Sequence, residues 1–282
     1  MYKWPGPPPP VWPSLAPLQM LAMGLRIFAF VVCTLILLPL YGIARGFEAL
    51  TGGHGVTQPI VWLWAQIGLL LAGLTLKVRG TPMKMGGAMV ANHSTWLDIF
   101  VIRSAAPIYF VAKSEVRSWP GIGWLAAITR TLFVERKRSE ARRQEAQFLE
   151  RLDAGHRLCF FPEGTSSDGL RVLPFRSTLF SAFMSEGLAD KMWVQPVTVI
   201  YRTGGEVPQT FYGWWGEMSF GGHLAQVFGR SYHGLAEVVF HPAVRAADFA
   251  SRKTLAAHCE AEVRSAMDVE VAARGVLPPP SR

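Results

Sequence analysis

Ile27 to Ala44 (IFAFVVCTLILLPLYGIA) is a run of eighteen residues without a charge, and Ile60 to Leu76 (IVWLWAQIGLLLAGLTL) adds seventeen more. At 1.5 Å per residue each would be about 25 Å long as a helix, a little short of the ~30 Å hydrocarbon core of a bilayer. Between them, Thr51-Gly52-Gly53-His54-Gly55 supplies a turn. The pair predicts a membrane-associated helical hairpin over residues 27–76, with spanning and re-entrant geometries both open. Arg45 is the one Lys or Arg in the connection, whereas Lys77, Arg79 and Lys84 follow the second run. That bias places both ends on the cytoplasmic side. Two core helices of a soluble protein are the alternative. No basic start or small-residue cleavage site frames the first run, so it does not read as a signal peptide.

Composition points the same way. Half of the 282 residues are hydrophobic and 17% are charged, against about 25% charged in average soluble domains. A net charge of +8 on so apolar a chain favours an anionic membrane surface. Nucleic acid is not expected, because zinc-finger spacing and RNP-like aromatics are both missing from the sequence. Cys33, Cys159 and Cys259 are odd in number and far apart, a pattern of neither a metal site nor a disulfide framework, and one that fits a reducing compartment. Residues 1–26 carry Pro5, Pro7, Pro8, Pro9, Pro10, Pro13 and Pro17 around Trp4 and Trp12. They read as an extended interfacial arm, its tryptophans placed for the headgroup level or for packing on the domain.

From Leu74 the texture changes to short apolar runs separated by helical stretches. Strands are expected at Leu74–Val78, Ala88–Ala91, Ile108–Ala112, Thr131–Val134, Leu158–Phe161, Val194–Tyr201 and Ala236–Phe240. Helices are expected at Trp96–Ala105, Gly121–Ile128, Ser139–Asp153, Ser177–Glu186 and Asp248–Asp268, with Ser139 as an N-cap and Gly155 as a stop. The alternation predicts one layered α/β domain over residues 77–282, built on a largely buried mixed sheet.

Within that domain, Asn92-His93-Ser94-Thr95-Trp96-Leu97-Asp98 sits where a buried strand turns into a helix. On one continuous helix His93 and Asp98 would point apart. With His93 on the turn and Asp98 one helical turn in, the carboxylate reaches back to the ring, fixes its tautomer and leaves the other nitrogen free to take a proton. Three further stretches carry chemistry. Phe133-Val134-Glu135-Arg136 ends a strand in a cationic cluster (Arg136, Lys137, Arg138), able to fork donors onto a phosphate or carboxylate, or else simply solvated. Phe160 to Ser167 (FFPEGTSS) ends a strand in a turn of glycine, small hydroxyls and one carboxylate, suited to a polar headgroup. Val194 to Ile200 contains Pro196 and lines either an acyl slot or the core.

These four blocks, in this order, resemble the glycerolipid acyltransferase family typified by bacterial 1-acylglycerol-3-phosphate acyltransferase (PlsC-like). Asn92, His93 and Asp98 match its N-H-x-x-x-x-D motif, and Phe161 to Ser167 match F-P-E-G-T-x-S in full. Phe133 and Arg136 match G-x-x-F-x-x-R, with Arg130 where glycine is usual, and Pro196 matches the apolar fourth block. The likeness covers roughly residues 75 to 245. It implies acyl transfer from a thioester, on acyl-carrier protein or coenzyme A, to a lysolipid hydroxyl, with no resident cofactor or metal. No G-x-S-x-G elbow occurs in the chain, in keeping with direct transfer that needs no covalent enzyme intermediate.

The resemblance makes His93 the general base and Asp98 its orienter. It places Arg136, Glu163, Gly164 and Thr165 at the acceptor headgroup, with Lys113 and Arg176 as further cationic candidates. The implied acceptor is lysophosphatidate by default, with lyso-ornithine lipid, an aminolipid acylated by enzymes sharing these motifs, as the rival. A lipid-binding scaffold and a lipid hydrolase are the rivals from other classes. The implied location is the inner membrane with the catalytic domain facing the cytoplasm. Two departures matter. Arg130 would add a cation beside the headgroup motif, and Arg176-Ser177-Thr178 replaces a common K-x-G. The Phe211–Ser219 segment, rich in aromatics and glycine, reads as an acyl-chain wall or a packed loop. The helix at Ser139–Asp153, with Arg142 and Arg143, offers a docking face for an acidic carrier protein.

Overall fold

The computed structural model describes every residue except 1–2, 54, 135–140, 186, 205–206, 231–232 and 276–282, and the side chains at 141, 142, 144 and 145 also lie outside the description. The apolar runs pair into one sheet of β1 (Leu74–Arg79), β2 (Gly87–Ala91), β3 (Tyr109–Lys113), β4 (Leu132–Val134), β5 (Arg157–Phe160), β6 (Trp193–Arg202), β7 (Gly234–Phe240) and β8 (Val244–Arg245). The order is β1-β7-β6-β2-β5-β3-β4, with β8 on β6. Each pairing is parallel except those of β6 with β7 and with β8. The sheet is therefore mixed, as expected, and mostly parallel, and each of the seven expected strands has its counterpart. β8 is two residues long, too short to leave a pattern in the sequence.

Every residue of β2, and all of β6 but its two ends, is buried, because both faces of the sheet are covered. On one face lie α2 (Gln58–Leu71), α3 (Asp98–Ala105) and α6 (Phe220–Arg230); on the other lie α5 (Ala141–Asp153), α7 (Arg252–Ala273) and a 3₁₀ helix at Ser177–Met184. The two-residue period of a strand divides β2 between these layers: Met89 and Ala91 join the first core, Ala88 and Val90 the second. α4 (Ile122–Ile128) leads into β4. The helix expected at Ser177–Glu186 is thus of the tighter 3₁₀ type over Ser177–Met184, and α6 arises in a region the aromatic pattern left unassigned.

Two boundaries at the N-terminus differ from expectation. α1 spans Pro17–Thr51, so residues 17–26 are helical and the extended arm stops before Pro17. Pro17 occupies the first helical turn, where its missing N–H costs nothing, and Gly52 ends the helix at φ 66°. The second apolar run divides. α2 stops at Leu71, Gly73 turns the chain at φ 70°, and Leu74–Leu76 enter β1. At 14 residues α2 is about 21 Å long, and Phe100 of α3 packs against Gly68 so closely that a Cβ there would lie 2.4 Å from its ring. Among the described residues, α1 alone is long and apolar enough to cross a membrane. Leu21, Leu25, Phe28, Leu35, Ile36 and Ile43 leave its outer face bare and apolar, a surface that demands a non-aqueous neighbour.

Candidate active site

The site is assembled at the C-terminal end of β2. Its pairing with β6 runs as far as Ala91 opposite Val197. Asn92 then continues the ladder with its side chain, accepting the Val199 N–H at 2.8 Å and donating to the Val199 carbonyl at 2.9 Å. The chain so pinned turns through His93–Leu97 and enters α3 at Asp98. Asp98 folds back over this turn, where a carboxylate is favoured by the helix N-terminus. Its Oδ2 accepts the Ser94 N–H at 2.8 Å and the Thr95 N–H at 3.1 Å, and lies 2.7 Å from His93 Nδ1. An ionised carboxylate only accepts, so Nδ1 carries the proton and Nε2 keeps its lone pair. Asp98 is fully buried, while the His93 side chain is 21% exposed and stacks on Phe161 with ring centroids 4.1 Å apart. A base with one open edge, held by a buried acid, can take a proton from a bound hydroxyl.

β5 is the parallel neighbour of β2, and that adjacency carries the FPEGTSS turn to the histidine. Ser167 N–H donates to the His93 carbonyl at 2.9 Å, and Trp214 N–H to the Ser94 carbonyl at 2.9 Å. Glu163 lies beneath this turn, 2% exposed, its carboxyl facing the His93 and Leu173 N–H groups without closing a full hydrogen bond to either. Burial, with the Asp98 charge adding to it, raises its pKa well above the ordinary value, and the side chain packs under the His93 backbone. It does not open towards a headgroup. Gly164, at φ 71°, turns its carbonyl to Lys113 Nζ at 2.7 Å, and Arg176 Nε donates to the Glu163 carbonyl at 3.3 Å. Both cations therefore brace the turn. Thr165 accepts the Trp4 N–H at 3.3 Å, so the N-terminal arm ends on this motif.

His93, Asp98, Glu163, Gly164 and Thr165 thus gather in one place, with Lys113 and Arg176 at its edge. Arg136 lies outside the described residues, as do Ser139 and the rest of the basic cluster. Arg130 is elsewhere. It precedes β4 at the opposite end of the sheet from His93, its guanidinium 3.8 Å from Glu48 and 5.5 Å from the Tyr109 ring centre. The expected extra cation beside the headgroup motif is therefore absent from that place. Arg130 adopts φ 65°, a left-handed conformation that glycine takes without strain, and this accounts for the usual residue there. Two participants escaped sequence reading. Tyr201 donates to Asp98 Oδ1 at 2.6 Å from the end of the fourth block, and Trp96 donates to Nδ1 of buried His223 in α6 at 2.9 Å. Burial lowers the His223 pKa to about 4, so its ring is neutral and free to accept.

Fold and dyad together define an α/β acyltransferase, and comparison with known proteins agrees. The acyltransferase family model matches residues 76–200. Lyso-ornithine lipid O-acyltransferase of Rhodobacter capsulatus is 49% identical over 264 residues, covering 93% of this chain and 95% of the relative. The 1-acyl-sn-glycerol-3-phosphate acyltransferase of Neisseria gonorrhoeae is 37% identical over 111 residues, 39% of this chain and 44% of that protein. The crystal structure of the 1-acyl-sn-glycerophosphate acyltransferase PlsC from Thermotoga maritima superposes with a TM-score of 0.65 at 21% identity, covering 90% of this chain and 95% of that one. The chain belongs to this acyltransferase family. It is an enzyme that acylates lysolipids.

Proposed function

We propose that the acceptor is a lyso-ornithine lipid, whose free hydroxyl receives a fatty acyl group from a thioester. The observation that carries this choice is the 49% identity to a lyso-ornithine lipid O-acyltransferase, sustained across 93% of the chain. Lysophosphatidate, the default acceptor on motifs alone, is the second reading, favoured by the shorter 111-residue match.

In this reading the hydroxyl hydrogen-bonds to His93 Nε2, which removes its proton as oxygen attacks the thioester carbonyl. Asp98 holds the tautomer and stabilises the imidazolium. Collapse of the tetrahedral intermediate breaks the C–S bond. The proton passes from the imidazolium to the leaving thiolate, giving ester and free thiol. The thioester, on acyl-carrier protein or coenzyme A, is a co-substrate, and no resident cofactor enters. We place α1 in the inner membrane through its apolar face, with the catalytic domain on the cytoplasmic side, where Lys77, Arg79 and Lys84 follow α2. The test is acyl transfer by detergent-purified protein from a labelled thioester to lyso-ornithine lipid, lysophosphatidate or lysophosphatidylcholine, with His93→Ala as control. Product chiefly with lyso-ornithine lipid is expected. Product with lysophosphatidate alone would overturn the acceptor and leave the enzyme class intact.

A further inference from the structure

Tyr201 is the last buried residue of β6, and its hydroxyl meets the one oxygen of Asp98 that faces away from His93. Oδ2 serves His93, Ser94 and Thr95, whereas Oδ1 receives the Tyr201 O–H at 2.6 Å. Both groups are buried, Tyr201 at 2% and Asp98 at 0% exposed, so water does not compete for that lone pair. We propose that Tyr201 is a positioning residue of the acyl transfer, which sets the strength of the Asp98–His93 hydrogen bond by withdrawing charge from the carboxylate. The inference rests on the general-base reading of His93.

The mechanism is electrostatic. A carboxylate hydrogen-bonded on both oxygens spreads its charge over four donors and holds the imidazolium less tightly than one bonded on Oδ2 alone. Removing the phenol O–H concentrates charge toward His93, so the ring keeps its proton to higher pH and the free base becomes scarcer. Other titratable groups face this pair. Cys159 on β5 and Glu163 on the following turn feel the Asp98 charge, and Tyr212, from the loop before α6, adjoins the Tyr201 ring at 5.7 Å. Burial raises the pKa values of all three, and that of Tyr201, above their ordinary ranges.

The experiment is the pH dependence of kcat and kcat/KM for Tyr201→Phe, which keeps the buried ring and removes only the hydroxyl. The expected result is a fall in kcat of up to about tenfold on the acid limb, where the free base becomes scarcer, with little change on the plateau above it. The KM for the lysolipid acceptor is unchanged, and the acid limb of the profile moves up by roughly one pH unit. Should Tyr201→Phe fail to fold, 3-fluorotyrosine at position 201 retains shape while making a stronger donor, and the acid limb then moves to lower pH. A Tyr201→Phe enzyme with reduced kcat and an unmoved acid limb would reduce Tyr201 to packing and overturn the proposal. His93→Ala distinguishes the two levels of argument. If it stays active the general-base reading fails, whereas an inactive His93→Ala beside an unaffected Tyr201→Phe refutes the role of Tyr201 alone.

Discussion

Trp4 donates its backbone N–H to the hydroxyl of Thr165, 161 residues further along the chain, at 3.3 Å. The rest of the arm is tied down beside it. Trp215 Nε1 donates to the Pro7 carbonyl at 2.8 Å, Trp12 meets Phe211 edge-on at 5.2 Å, and Arg171 lies 5.1 Å from the Trp4 ring centre. The aromatic segment Phe211–Ser219 is thus a bed for the arm, whose prolines leave little backbone entropy to lose on docking. At Gly6, with φ +53°, a Cβ would come within 2.6 Å of the Trp4 ring and 2.8 Å of Trp215. Gly6→Val is expected to weaken docking by about 1–2 kcal/mol, seen as faster proteolysis of the arm and slower acyl transfer. An arm equally protected in the variant would show the clash to be harmless.

His93→Ala should lower kcat by roughly 10²- to 10⁴-fold, the range for a positioned general base, with little change in Tm. Asp98→Asn should lose activity comparably and also about 1–3 kcal/mol of stability, because Ser94 and Thr95 lose a charged acceptor. Steady-state kinetics with thermal unfolding of the same preparations checks both.

Arg130 sits across the sheet from the dyad, so Arg130→Gly should leave acceptor preference unchanged. Relief of its φ of 65° is worth about 1–2 kcal/mol, opposed by loss of the 3.8 Å approach to Glu48. A switch between lyso-ornithine lipid and lysophosphatidate in the acceptor panel would contradict this placement.

The end of α7 is held to the sheet through charge. Glu270 accepts from Arg202 Nε at 2.5 Å and Arg274 Nε at 2.8 Å, and Arg202 also reaches Glu237. The Arg202 hydrogen bonds, followed by those of Arg274, lower the Glu270 pKa from 4.5 to about 2. A depressed folded-state value stabilises the protein above the ordinary pKa and loses that contribution as pH falls towards the folded one. Wild-type Tm should therefore exceed that of Glu270→Gln above pH 4.5, and the two curves should converge as pH approaches 2. Parallel curves throughout would remove Glu270 from the account.

Cys159 and Cys259 are fully buried. Burial raises the Cys159 pKa and pushes that of Cys259 up to about 12, so neither forms the reactive thiolate at neutral pH. Intact-mass analysis after brief iodoacetamide treatment should find both unmodified until denaturant is added.

Much of this architecture was legible from local chemistry. Short apolar runs marked the seven strands, most continuously in β2 and β6, because a strand covered on both faces has little room for charge. The spacing of His93 and Asp98 across a strand-to-helix turn marked the dyad because few other arrangements bring those side chains together. Local signals failed where partners are remote. Lys113 and Arg176 are cations by sequence, yet the fold turns them onto main-chain carbonyls of the FPEGTSS turn. Glu163 carries a carboxyl that reads as a headgroup ligand, and the fold buries it beneath the His93 turn.

The order of residues alone determined the layered α/β domain, the apolar helix and the pairing of His93 with Asp98. Each follows from the period of hydrophobicity or from a spacing within one turn. The tertiary structure decided which groups stand behind them. Strand order places β6 against β2, and only that pairing brings Tyr201 to Asp98 across 103 residues of chain. It likewise lays the arm on Thr165 and sends Arg130 to the far end of the sheet. Such contacts follow from sheet order and burial, which depend on the chain as a whole and leave no mark in any local stretch of it.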